Sequence, residues 1–218
     1  MDTKKILLIG DSIRQGYDHY VKTALNGICE VHYPEVNCQF AHYVLRHLHE
    51  WTEWLGWGEN VDLVHWNVGL WDTLELFDDG VLTPINFYED TMKRICKRIR
   101  LLYPNAKVIF ATSTYVQEDI WLEPHKMRRR NINTMEYNRV ACEIVKSFGF
   151  EINDLYELTS KLDKTYYSDM THLYTEKGEI VMLQKVLSEI CNALDIENNF
   201  DCEKIVKEHR KNTEVVGI

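Results

Sequence analysis

The chain has 218 residues, a formal net charge of −9 at pH 7, and hydrophobic side chains at 45% of its positions. That length and apolar fraction are sufficient for one α/β domain with a sizeable core, and they disfavour a disordered chain. The negative charge argues against a nucleic-acid backbone as the main partner. No apolar stretch of the sequence is long enough to span a bilayer.

Short apolar runs alternate with helical periodicities from the N-terminus onwards. The runs 6–9, 28–33, 61–66, 107–112 and 150–156 are predicted strands, and Ile28, Val31 and Tyr33 are expected to be buried in the second. Helices are predicted after Gly16 and over 40–55, 87–103, 134–148 and 175–193, and a charged tail follows residue 198. This alternation predicts right-handed crossovers and a parallel sheet covered on both faces.

The first strand ends abruptly at Gly10-Asp11-Ser12, just before a helical pattern. Ser12 is therefore expected between a strand end and a helix start, where free N–H groups and a partial positive charge accumulate. A serine in that position can be a nucleophile whose developing oxyanion meets N–H donors. The alternative is that Ser12 only caps the helix.

A second polar stretch near the C-terminus, Asp169-Met170-Thr171-His172, precedes another helical pattern. Attack by a hydroxyl needs a base, and the base needs an orienting acid. An Asp-x-x-His turn supplies both from one loop. The alternative is an ordinary polar loop that leads into a helix.

Together these two stretches resemble blocks I and V of the SGNH hydrolases, the GDSL esterase superfamily, in the same order from one end of the chain to the other. The resemblance implies a flavodoxin-like three-layer α/β sandwich with a five-stranded parallel sheet of order 2-1-3-4-5. Residues 1–195 would form this domain and residues 196–218 a charged C-terminal extension. It also implies a Ser12 nucleophile, a His172 base oriented by Asp169, and no metal or other cofactor.

The family's oxyanion hole takes donors from three blocks, and this sequence departs from two of them. The Ser12 N–H is the first donor. The usual glycine of block II is missing near Asn37-Cys38-Gln39, and the Cys38 N–H is the expected replacement unless Cys38 is simply a small buried side chain. Block III is Gly69-Leu70-Trp71-Asp72, with Trp71 at the asparagine position. Asn67 is the expected substitute unless it only closes its own turn, and Asp72 is expected to cap the following segment.

The leading prediction is a serine esterase that removes a short acyl group, such as acetyl, from a carbohydrate or other small alcohol. The alternatives are a lysophospholipase or thioesterase, and a catalytically silent binding protein. A phosphate or cofactor carrier is disfavoured because the chain has no Gly-rich phosphate loop. The expected partner is a small-molecule ester rather than nucleic acid or membrane, and a homo-oligomer stays open.

Further features bear on location and specificity. The six cysteines form no Cys-x-x-Cys pair and no signal-peptide pattern is present, so we expect reduced thiols and a cytoplasmic protein. The irregular connection 74–84 is a candidate wall or lid over the site. The loop 114–133 is long for a connector, which is typical of functional loops. Three tryptophans, Trp66, Trp71 and Trp121, are expected to narrow the site or stack on a sugar. The basic cluster Lys126–Arg130 is a candidate contact for an anionic group.

Overall fold

A computed structural model of the chain describes residues 3–120 and 127–215. Its five strands form one parallel sheet in the order β2-β1-β3-β4-β5. The strands are β1 (Lys4–Ile9), β2 (Cys29–His32), β3 (Leu63–Trp66), β4 (Lys107–Ala111) and β5 (Glu151–Asn153). The predicted fold class and strand order are confirmed.

Helices cover both faces of this sheet and complete a three-layer sandwich. They are α1 (Ser12–Gln15), α2 (Asp18–Ala24), α3 (Ala41–Leu55), α4 (Ile85–Leu102), α5 (Asn131–Ser147), α6 (Leu155–Thr159), α7 (Glu176–Leu194) and α8 (Cys202–Val215), with a 3₁₀ helix at Lys164–Tyr166.

The core is divided by the sheet because alternate strand residues point to opposite faces. Ile6 and Leu8 of β1 pack with α2, α7 and α8, whereas Leu7 and Ile9 pack with α3, α4 and α5. All four residues of β3 are buried. A strand covered on both faces is mostly apolar, which explains the apolar runs in the sequence. The exception in β3 is His65, whose Nε2 lies 3.1 Å from Asn153 Nδ2.

The register of the two central strands places the first motif beside the third strand's end. Ile9 is paired with Trp66, and the Asn67 N–H donates to Ile9 O at 3.0 Å. The segments that follow β1 and β3 therefore leave the sheet side by side, at the same edge. This edge, at the carboxyl ends of the strands, is where open parallel sheets bind ligands.

Several local predictions were wrong. Ile28 is 45% exposed, because β2 begins one residue later and buries Cys29 and Val31. Tyr33 lies beyond the end of β2 and is half-buried. The fifth strand ends at Asn153, because the Asp154 side chain accepts from the Glu157 N–H and begins α6.

Helix α5 starts at Asn131, three residues before the predicted start. The Asn131 side chain is buried and hydrogen-bonded in both directions to the Val116 backbone, which holds the beginning of the helix against the preceding loop.

Among the described residues, every helix is too short or too polar to span a bilayer. Trp121 and Lys126, for which roles were predicted, lie outside the described residues. Trp66, predicted to narrow the site or stack on a sugar, is fully buried against Phe110 in the core, so that prediction is wrong for Trp66.

Helix α8 lies within the segment that the sequence assigned to a charged extension. Cys202 and Val206 are buried in the core, next to α2 and α7. The Arg210 guanidinium donates to Glu179 Oε2 at 2.6 Å, and the Tyr20 hydroxyl donates to the same oxygen at 2.9 Å. The tail thus packs on the domain through both apolar and charged contacts.

Candidate active site

Ser12 is the first residue of α1, at the carboxyl end of β1. The side chain that caps this helix is that of Asp11, which accepts from the Ile13 N–H at 2.9 Å. The Ser12 hydroxyl is therefore not used as the cap. Its backbone N–H is the first of the helix and has no acceptor inside it.

Two side chains from the C-terminal loop meet the Ser12 hydroxyl. His172 Nε2 lies 2.7 Å from Ser12 Oγ, and His172 Nδ1 lies 2.6 Å from Asp169 Oδ2. A carboxylate only accepts hydrogen bonds, so Nδ1 carries the proton and the lone pair of Nε2 faces the hydroxyl. The structure thus brings the three predicted residues into one hydrogen-bonded chain, which is the arrangement that a serine nucleophile requires.

The backbone of the same loop prepares Asp169 for this contact. Its Oδ1 accepts from the N–H groups of Thr171 and His172, at 2.8 and 2.9 Å. Partial burial alone would raise the pKa of Asp169, but the hydrogen bonds from His172 and Thr171 outweigh burial and hold that pKa well below its usual range. Asp169 is consequently ionised at neutral pH, and it orients the imidazole by accepting from His172 Nδ1.

Tyr174, which the sequence reasoning missed, supports both partners of this contact. Its ring stacks on the His172 ring with centroids 4.7 Å apart, and its hydroxyl donates to Ser12 O. The signal available in the sequence was its place two residues after His172 in the same polar loop. Tyr174 thereby links the serine turn to the histidine loop.

The Asn67 side chain is buried beside the serine turn. Its Nδ2 donates to Asp11 Oδ1 at 2.9 Å, and its Oδ1 lies so close to Gly10 that an added Cβ there would be 1.9 Å away. Burial raises the pKa of Asp11, against the hydrogen bonds from Asn67 and Ile13. An amide has two N–H donors, and the contact with Asp11 uses one of them.

Cys38 does not match its predicted role. Its backbone N–H donates to Gly10 O at 3.1 Å, so that donor is not available to an oxyanion. The thiol is fully buried, and burial raises its pKa. The other interpretation of Cys38, a small buried side chain that packs near the site, is the one that the geometry supports.

The Gly69-to-Asp72 segment is likewise structural. Gly69 has φ +128°, and a Cβ there would be 2.8 Å from Ser113 Oγ, so this turn needs glycine. The Asp72 carboxylate accepts from the Ala41 N–H at 3.0 Å, so it caps α3. The prediction that Asp72 caps the segment after it is wrong. Burial raises the pKa of Asp72 to about 6. Trp71, at the position of the family's asparagine, is half-buried.

Comparison with known proteins relates this geometry to solved hydrolases. No family model matches the chain, and no curated protein matches it. Among solved structures, a lipase/acylhydrolase from Enterococcus faecalis has a TM-score of 0.68 and 19% identity, over 87% of this chain and 96% of that one. An acetylxylan esterase from Geobacillus stearothermophilus has a TM-score of 0.61 and 17% identity, over 91% and 95%.

A further acetyl xylan esterase has a TM-score of 0.66 and 17% identity, over 85% of this chain and 99% of that one. A catalytic mutant of the Geobacillus stearothermophilus enzyme, with a serine replaced by alanine, is also similar. These likenesses extend over nearly the whole of each chain. The protein therefore has the fold of the GDSL-like lipases, acylhydrolases and acetylxylan esterases.

Proposed function

We propose that the protein is a serine esterase of the SGNH superfamily that hydrolyses a short-chain acyl ester through an acyl-enzyme. The observation that carries the proposal is the continuous chain Ser12 Oγ–His172 Nε2 and His172 Nδ1–Asp169 Oδ2, at 2.7 and 2.6 Å. The fold, shared with esterases and acylhydrolases over most of the chain, supports the same conclusion.

In this mechanism, Ser12 Oγ attacks the ester carbonyl carbon while His172 Nε2 takes the hydroxyl proton. The tetrahedral intermediate collapses, the C–O bond to the alcohol breaks, and His172 gives its proton to the leaving alcohol. Water then attacks the acyl-enzyme with His172 as base, which releases the acid and regenerates Ser12. Asp169 stabilises the imidazolium that forms in both halves.

The negative oxygen of the intermediate needs N–H donors. We assign one to the backbone of Ser12, since the first N–H of a helix has no partner within it. We assign the second to the Asn67 amide, which has one N–H left after its contact with Asp11. The hydrogen bond to Asp11 holds that amide in place beside the nucleophile.

An apolar groove bears on the choice between short and long acyl chains. It has a volume of about 360 Å³ and is lined by residues that include Tyr33, Val36, Trp51 and Trp54. None of its lining residues belongs to the Ser12–His172–Asp169 chain. A long acyl chain would need a groove continuous with the nucleophile, so we favour a small acyl group, as the acetylxylan esterases with this fold carry in their names.

The proposal is tested with p-nitrophenyl esters of increasing chain length and with a fluorophosphonate that phosphonylates a reactive serine. We expect kcat/KM to be highest for the acetate, and Ser12→Ala to lower it by about 1,000-fold or more and to abolish labelling. Ser168→Ala is the matched control, because within the described residues the Ser168 hydroxyl donates to a backbone oxygen, that of His172, at 3.1 Å.

Each other result has a defined meaning. A kcat/KM that rises with chain length would contradict the short-chain specificity while keeping the serine mechanism. Labelling that survives in a folded Ser12→Ala variant would move the nucleophile to another residue. No Ser12-dependent reaction with any ester or with the fluorophosphonate would refute the esterase proposal and favour a binding protein on this scaffold.

A further inference from the structure

Arg129 is a buried cation next to the candidate active site. The residue is 8% exposed, and its Nε donates to Leu70 O at 2.6 Å, in the loop that continues from Asn67. Burial lowers the pKa of Arg129 to about 10, against the opposing effect of the nearby Asp11 and Asp169 carboxylates. The guanidinium therefore stays charged at neutral pH. It lies within electrostatic reach of Asp11, which precedes Ser12, and of Asp169.

The terminal nitrogens of Arg129 have no hydrogen-bond acceptor within the described ranges. Its only hydrogen bond there is the one from Nε, and no described carboxylate forms an ion pair with it. A buried guanidinium without acceptors is costly, so an acceptor from a bound molecule would stabilise it. Its two terminal nitrogens are not among the described side-chain atoms that are both sealed from solvent and unpaired, so they keep some contact with solvent.

The two neighbouring arginines differ from Arg129, because each forms an ion pair with a carboxylate. Arg128 Nε contacts Glu75 Oε2 at 2.7 Å, and Arg130 Nη2 lies 3.4 Å from the same oxygen. The backbones of Glu75 and Arg128 are also hydrogen-bonded in both directions, at 3.0 and 3.1 Å. The segment is thus anchored through Glu75, and Arg129 is held in place before any ligand arrives.

We propose that Arg129 binds a carboxylate of the substrate, so that the enzyme prefers acyl esters of acidic molecules, such as acylated sugar acids or hydroxy acids. The planar guanidinium is suited to this task because it can donate two parallel hydrogen bonds to one carboxylate. Because the chain has a net charge of −9, a local cation favours the approach of such a substrate. This inference rests on the proposed esterase function and narrows its substrate class.

The test compares the ortho, meta and para acetoxybenzoates with the matching acetoxybenzamides, which carry the same acetyl ester and no charge. For at least one isomer, we expect kcat/KM of the wild type to be about tenfold or more higher for the carboxylate, the size of a charge-assisted hydrogen bond. Arg129→Gln should remove that preference by lowering kcat/KM for the carboxylate about tenfold or more relative to the matching amide. Arg130→Gln, which removes an exposed neighbouring charge, should keep it.

The outcomes separate this inference from the esterase proposal. Ser12-dependent hydrolysis of both classes with equal efficiency in all three isomers overturns the inference alone. This comparison uses the wild type and Ser12→Ala, so it can be made even if Arg129→Gln fails to fold. A preference that persists in Arg129→Gln, or an equal loss on both classes in a folded variant, also overturns it. Hydrolysis of neither class in a Ser12-dependent manner refutes the esterase proposal and the inference with it.

Discussion

Replacement of Gly10 by alanine tests whether the Asn67 amide is held against the serine turn. The new Cβ would lie 1.9 Å from Asn67 Oδ1 and 2.8 Å from Arg14 Cβ. Ordinary contact between heavy atoms needs about 3.5 Å, so the amide must move by roughly 1.5 Å. That displacement breaks the 2.9 Å hydrogen bond from Asn67 to Asp11.

The expected cost has a stability part and a catalytic part. Overpacking of a tight interior site destabilises by about 2 kcal/mol. A donor displaced by more than an ångström costs about 100-fold in kcat, if Asn67 supports the oxyanion as proposed. Urea denaturation and kcat for p-nitrophenyl acetate measure the two parts separately.

Gly149→Ala provides the matched control. Gly149 has φ +71° and open space around its Cα, so alanine there strains the backbone far from the site. We expect it to lose stability without loss of kcat. A Gly10→Ala variant within about 0.5 kcal/mol and twofold of wild type would refute the packing argument. A destabilised variant with unchanged kcat would remove Asn67 from the mechanism.

Three further predictions concern charged groups. Asp169→Asn should lower kcat by about 1,000-fold or more, because an amide no longer fixes the His172 tautomer; unchanged kcat in steady-state assays would exclude Asp169 as the orienting acid. Folded Asp72 has a pKa raised to about 6, so it binds its proton more tightly than the unfolded chain does, and its contribution to stability is lost as pH rises from about 4 to about 6. Asp72→Asn should gain up to about 3 kcal/mol over wild type across that window in urea titrations, and a constant difference would contradict this. Glu179→Gln should lower the free energy of unfolding by about 1–3 kcal/mol through its contacts with Arg210 and Tyr20, whereas the exposed ion-pair variant Glu143→Gln should change it little.

The sequence alone was sufficient for the architecture and for the order of its polar turns. Buried parallel strands need continuous apolar runs, and these are visible without coordinates. Gly10-Asp11-Ser12 follows the first strand directly, and Asp169-to-His172 lies in the connection after the fifth strand. A parallel sheet therefore predicts that both lie on the side of the carboxyl ends of the strands. The resemblance to a known family supplied the strand order, which the structure confirmed.

Only the tertiary structure decided which backbone and side-chain groups are already occupied. The Cys38 N–H is used by Gly10 O, and Asp72 caps α3, which precedes it in the chain. Arg129 and its two arginine neighbours have the same chemistry in the sequence, but Glu75 pairs only with the neighbours. Hydrogen-bond partners far apart in the chain are selected by packing, and a linear pattern contains no record of that selection.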